Sequence, residues 1–209
     1  MAGFYFSDST EFNLIGFCVD DEFYGEDTLI GYPIFRYNEF LSKNDATKFN
    51  IFVAVTYHKL NRHRQNILAR CIGDGFLAAS YVSPDARIHH SAEIGQHNFI
   101  FEDNVIQPGC RIGNNNVLWS GNHIGHHSII GNHNFISSHC VFSGHITLGN
   151  NCFFGVNSTV SNNVEIDSFV WAEPNSLIQR RIEKGSIIKS TPSEISKVSS
   201  FKLFKVHDD

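Results

Sequence analysis

"VIQPGCRIGNNNVLWSGNHIGHHSIIGNHNFISSHCVF", Val105 to Phe142, returns to a large apolar residue every six positions: Ile106, Ile112, Leu118, Ile124, Ile130, Ile136 and Phe142. The same phase extends back through Ile100, Ile94 and Ile88 to Val82, and forward through Leu148, Phe154, Val160, Ile166 and Ala172 to Ile178. Stepping by six from 82 to 178 gives 17 positions, all apolar, with no insertion. Two residues before each lies, in most repeats, a short side chain such as Ala86, Ala92, Cys110, Ser128, Cys140, Cys152 or Ser158. Glycine often follows, as at Gly95, Gly113, Gly125, Gly131, Gly149 and Gly155. A period of six matches neither a 3.6-residue helix nor the alternation of a long strand. It matches short strands joined by tight corners, each strand giving one large and one small side chain to an interior. That is a parallel β-helix, in which stacking buries a core that no single repeat could bury alone.

Asparagine crowds the corners (Asn114 to Asn116, Asn132, Asn150, Asn151, Asn162, Asn163), as expected of a residue that tolerates positive φ. Cys110, Cys140 and Cys152 share one phase and read as small core fillers. The five cysteines form no CxxC pair, and the reading is of reduced thiols in a cytoplasmic protein. A net charge of −5 over 209 residues argues against nucleic acid as a partner. No apolar run is long enough for membrane insertion, and MAGFYFSDST has no signal-peptide pattern.

Residues 1–80 lack the period. "FNLIGFCVDD" and "KFNIFVAVTYH" read as strands, "LIGYPIFRYNEFL" as a strand then a helix, and "LNRHRQNILARCIGDG" as a helix stopped by glycine. This predicts a small α/β domain with a parallel sheet. The β-helix is expected over 81–182. Residues 183–209 are expected to be a cap or tail, since a solenoid needs its end covered.

This order resembles the hexapeptide-repeat bacterial sugar acetyltransferases, in the branch of the sialic acid O-acetyltransferases and the UDP-4-amino-sugar N-acetyltransferases. The resemblance implies a mainly β fold: a left-handed parallel β-helix preceded by a small α/β domain. It implies three hexapeptides per triangular coil, so residues 18 apart stack. "IGHHSIIG" is similar to the family's catalytic repeat and places the general base at His126, with His127 where the family has an acid. "SGHITLG" matches the motif whose glycine N–H holds the thioester carbonyl, here Gly144. "FCVDD" suggests Asp20 and Asp21 for the sugar nucleotide, and Arg62, with Arg64 near it, for the diphosphate. Arg180, Arg181, Lys184 and Lys189 are candidates for the phosphates of CoA. The family's opening strand and Gly-rich loop have no counterpart here, so the N-terminal domain is expected to be shortened.

The resemblance therefore implies an acetyl-CoA-dependent enzyme of surface-glycan biosynthesis, a homotrimer without a metal. Its acceptor would be the amino group of a nucleotide-linked amino sugar or, alternatively, a sugar hydroxyl. Two other readings stay open. One is a zinc protein like the gamma-class carbonic anhydrases; the other is a non-catalytic β-helix module. His127, His133, His139 and His145 are six apart and fall on successive corners, so only His127 and His145 are expected to stack. No histidine pair within the repeats has the five-residue separation of the zinc proteins.

Overall fold

A computed structural model describes residues 1–206. From Tyr81 to Ile188 the chain is a left-handed parallel β-helix of two-residue strands in three faces. Face I stacks Tyr81–Val82, Phe99–Ile100, Val117–Leu118, Phe135–Ile136, Phe153–Phe154, Trp171–Ala172 and Ile187–Ile188. Face II stacks Arg87–Ile88, Val105–Ile106, His123–Ile124, Val141–Phe142, Thr159–Val160 and Leu177–Ile178. Face III stacks Glu93–Ile94, Arg111–Ile112, Ile129–Ile130, Thr147–Leu148 and Glu165–Ile166. The register is 18 residues per coil, for example Ile106 beside Ile124 and Ile124 beside Phe142. It shortens to 16 only at the end, where Trp171 pairs with Ile187. The last strand thus lies beyond the expected limit at 182.

The second residue of each strand points inward, which is the six-residue phase of the sequence. From Ile100 to Ile178 every one of them is buried. The small inward positions hold more polarity than the sequence reading assigned. Asn116 is not a corner residue but part of an internal ladder: its backbone N–H donates to Asn98 Oδ1 (2.8 Å), Asn134 N–H to Asn116 Oδ1 (2.9 Å), and Cys152 N–H to Asn134 Oδ1 (2.8 Å). Buried carboxamides are tolerated because they are paired in this way. The corners carry left-handed residues six apart, including His97, Asn115, His127, His133, His139, His145 and Asn151, at φ between 56° and 61°.

The first residue of each face-I strand points outward and is aromatic at Tyr81, Phe99, Phe135, Phe153 and Trp171. The N-terminal region covers this stripe. Helix α1 (Ala2–Ser7) packs Tyr5 and Phe6 against Phe99, and Tyr57 contacts Phe135 and Phe153 at 5.1 and 4.6 Å between centroids. The region contains strands β1 (Phe17–Val19), β2 (Thr28–Leu29), β3 (Tyr32–Arg36), β4 (Asn50–Ile51) and β5 (Leu77–Ala78), with helices α2 (Tyr37–Lys43) and α3 (Arg62–Gly73). The single parallel sheet predicted here is instead two pieces. β1 pairs in parallel with β3, which takes β2 antiparallel, while β4 pairs in parallel with β5. "KFNIFVAVTYH" yields only the two residues of β4, because face I, not a sheet partner, receives Phe52 and Tyr57.

Arg64 locks this region to the corner between faces III and I. It is fully buried, and no carboxylate among the described residues pairs with it. Its guanidinium donates to Asn115 Oδ1 (2.9 Å), to Asn61 Oδ1 (3.1 Å), and to the carbonyls of Asn115 and Asn134 (3.1 Å each). Burial lowers its pKa to about 10, so it stays charged at neutral pH. Residues 191–206 are all exposed, including helix α4 (Ser200–Phe204), so none of them is packed into the end of the coil as a cap would be. The expected cap or tail extends to 209, and its last three residues lie outside the described ones. No helix among the described residues is long and apolar enough to cross a membrane.

His97 joins the same network. Its Nε2 accepts from Val53 N–H (2.9 Å), and its Nδ1 pairs with Asn115 Oδ1 (3.0 Å). Burial lowers its pKa to about 4, and burial also lowers that of His133 beside it. The unfolded chain therefore binds a proton near pH 6.5 that the folded chain refuses until about pH 4. Stability is full above that window and falls as pH drops through it. His97 alone should cost about 3 kcal/mol across the window, roughly 2 of it by about pH 5. Urea unfolding at neutral and mildly acid pH measures this, and His97→Gln should flatten the dependence.

Candidate active site

The corner between faces II and III carries one residue column made of Gly109, His127, His145 and Asn163, and beside it Pro108, His126, Gly144 and Asn162. This corner is the edge of the prism opposite face I, and so opposite the N-terminal region. His126 and His127 follow the strand His123–Ile124 and are both exposed. The His126 backbone N–H donates to Gln107 Oε1 (2.9 Å), that of His127 to Pro108 O (3.0 Å), and that of His145 to His126 O (2.9 Å). The rings thus project from a fixed backbone.

His126 Nδ1 lies 3.1 Å from His127 Nδ1, so one nitrogen carries the shared proton and the other accepts it. His127 and His145 stack with centroids 5.1 Å apart and planes 10° from parallel, as their 18-residue separation predicts. His126 meets His145 edge-on at 5.0 Å, a contact the sequence reading did not foresee. His126 is not in the six-residue corner phase, and only the fold of the corner turns its ring toward the next coil.

Gly144 lies under the His126 ring. A Cβ at Gly144 would sit 2.6 Å from both Cε1 and Nε2 of His126, so glycine is what lets the imidazole rest against the backbone there. The use of its N–H expected from the resemblance has a competitor. That N–H already donates to Asn162 Oδ1 (2.8 Å), the same bond that Asn114, Asn132 and Asn150 accept at equivalent positions along the helix. Asn162 was read only as a corner asparagine, and Gln107 was not singled out in the sequence. Their signal was the 18-residue spacing from Gly144 and, within one residue, from His126.

The remaining candidates are dispersed. Arg180 and Arg181 follow Leu177–Ile178, three strands along face II from His123–Ile124, which is about 14 Å at the usual strand spacing. Both are exposed, and Arg181 pairs with Glu165 (3.5 Å) and Glu183 (3.4 Å). Lys184 is elsewhere, over the Phe169 ring at the corner between faces III and I (5.6 Å), with Arg62 on the same ring (5.9 Å). Lys189 is exposed after the last strand. Asp20 is bound to Arg70 (2.8 Å) and Asp21 to Arg36 (3.8 Å), beside a cleft of about 310 Å³ lined by Tyr24, Arg36, Phe40 and Lys43. Arg64 is no ligand-binding residue at all, since its guanidinium is buried and fully engaged. Within one chain, then, His126, His127 and Gly144 come together, while Asp20, Asp21 and Arg62 lie on the far side.

The family described as the GMPPB C-terminal domain matches residues 76–190, more than half of the 209, and the chain belongs to that family. No curated protein matches the sequence. Among solved structures, the chain is similar to the acetyltransferase domain of PglB from Neisseria gonorrhoeae (23% identity, 84% of this chain and 83% of that one, TM-score 0.75). It is also similar to PerB from Caulobacter crescentus, solved with CoA and GDP-perosamine (19%, 77% of each chain, TM-score 0.70). A third is WeeI from Acinetobacter baumannii (16%, 87% and 85%, TM-score 0.60). At these identities the likeness establishes the fold.

Gly144→Ala should push the exposed His126 ring off the backbone with little cost to the core. The His126–His127 contact should be lost, seen as altered imidazole NMR signals, while Tm moves by less than about 3 °C. An unmoved imidazole signal would refute the steric argument.

Proposed function

We propose that the chain is an acetyl-CoA-dependent sugar acetyltransferase, acting on the amino group of a nucleotide-linked amino sugar in surface-glycan synthesis in the cytoplasm. The observation that carries this reading is the pairing of an exposed imidazole, His126, with a second imidazole at its Nδ1 and a glycine backbone beneath its Nε2. The PglB acetyltransferase domain, solved also with acetyl coenzyme A, and PerB, with its CoA and GDP-perosamine, support the choice of substrates.

In this reading His126 donates its Nδ1–H to His127 Nδ1, which leaves the Nε2 lone pair free. The acceptor amine attacks the thioester carbonyl, the C–N bond forms, and His126 Nε2 takes the amine proton. The tetrahedral oxyanion collapses, the C–S bond breaks, and the CoA thiolate leaves and recovers a proton. A neutral imidazole supports the developing imidazolium less than a carboxylate does, but it still fixes the tautomer. Gly144 N–H serves the oxyanion once Asn162 yields it. Arg180 and Arg181, farther along the same edge, meet the phosphates of CoA, with Lys184 as a weaker candidate from another corner.

The dispersal of the other candidates supports a homotrimer. The base stands on the edge opposite the N-terminal region, so Asp20, Asp21 and Arg62 reach it only from a neighbouring copy.

His126→Ala should lower turnover by about 100-fold or more, and His127→Asn should cost less. The assay is CoA release from acetyl-CoA with UDP-, GDP- and dTDP-linked amino sugars, and unmodified sugars as controls. Turnover of His126→Ala within a few-fold of the parent would remove the base. Turnover only with unmodified sugars would assign O-acetylation instead.

A further inference from the structure

We propose that His126, His127 and His145 form a binding site for a zinc-like transition-metal dication, and that occupancy withdraws the base. Among the described residues these three form a group in which one ring nitrogen from each lies within 4.8 Å of the others. Such an ion plays no part in the transfer itself. It acts as a reversible block, and only that consequence rests on the acetyl-transfer reading.

The donor set selects the ion. Three imidazoles and no carboxylate make a site for zinc, copper, nickel or cobalt and a poor one for magnesium or calcium. The 3.1 Å between His126 Nδ1 and His127 Nδ1 is close to the edge of a tetrahedron with Zn–N bonds of about 2.05 Å, roughly 3.3 Å. The backbone is already fixed. His127 and His145 occupy one corner column at φ 57° and 58°, with His145 N–H bound to His126 O. The rings are what must adjust. His127 and His145 are nearly parallel, and in-plane lone pairs of parallel rings do not converge, so one ring turns on binding. Both are exposed and free to do so. Three protein ligands leave a fourth position for water.

The consequence follows from electron counting. A neutral imidazole has one in-plane lone pair. Once His126 Nδ1 gives it to the metal, the proton resides on Nε2, and the ring has nothing left to accept the amine proton.

The test uses the full chain without a histidine tag, titrated with Zn²⁺ against a chromophoric chelator, and with Co²⁺ followed by its visible absorption. One equivalent should bind in the micromolar range. His127→Asn and His145→Asn keep a residue that the equivalent corners already carry (Asn151, Asn163), and each should weaken binding by about tenfold or more. His139→Asn, on another corner, should bind as the parent does. Absence of micromolar binding, or binding unchanged in both variants, would overturn the proposal. In the CoA-release assay Zn²⁺ should inhibit at the binding concentration and chelation should restore turnover. Binding is read without substrates, so a chain that binds zinc but transfers no acetyl group would refute the transfer reading alone.

Discussion

The stacking of one coil on the next at a constant 18 residues is the constraint on which this molecule depends. The strands and the glycines that follow them donate N–H groups to carbonyls one coil on, as Ile129 does to Ile146 (2.7 Å) and Gly125 to Phe142 (2.7 Å). The inward asparagines extend the same ladder through their side chains. One residue added within a strand would exchange its inward and outward side chains, and where the inward one is a carboxamide partner it would leave that ladder unpaired. The unbroken phase from 82 to 178 is therefore a condition of folding, and the left-handed corner residues are the means of meeting it.

A prism built this way has faces and edges with separate duties. Face I is outwardly aromatic and is closed by the N-terminal region, with Arg64 and His97 binding that region to corner backbone. The edge between faces II and III is left open, and there the 18-residue column stacks His127 on His145 while Gly144 makes room for His126. The same register that builds the core thus assembles the site. The site is small because the column is narrow, and it is exposed because none of the described residues covers it.

Several candidates were legible as residues but not as a place. Asp20 and Asp21 were noted for their charge, yet Arg70 and Arg36 already hold them. Arg62 and Arg64 differ by two positions and have opposite fates, because the first turn of α3 sends one outward and the other into the III–I corner. The aromatic stripe of face I (Tyr81, Phe99, Phe135, Phe153 and Trp171, interrupted by Val117) falls at multiples of 18 residues but was not singled out in the sequence. Its meaning as a docking face needed the α1 and Tyr57 contacts.

The sequence by itself determined a β-helix of six-residue repeats, and the resemblance carried by its motifs added the three-sided coil, the stacking of His127 on His145 and the prominence of His126. A strict six-residue period fits neither a helix nor a long strand, and short strands stacked on one another bury its apolar residues together. Only the tertiary structure decided that Asn116 points inward, that Asn162 holds the Gly144 N–H, that His145 joins His126, and that the N-terminal region sits across the prism from them. Those outcomes depend on which side of a corner a side chain leaves and on which face is covered. Neither is a property of spacing along the chain, because both are set by contacts between residues from 18 to more than 90 positions apart.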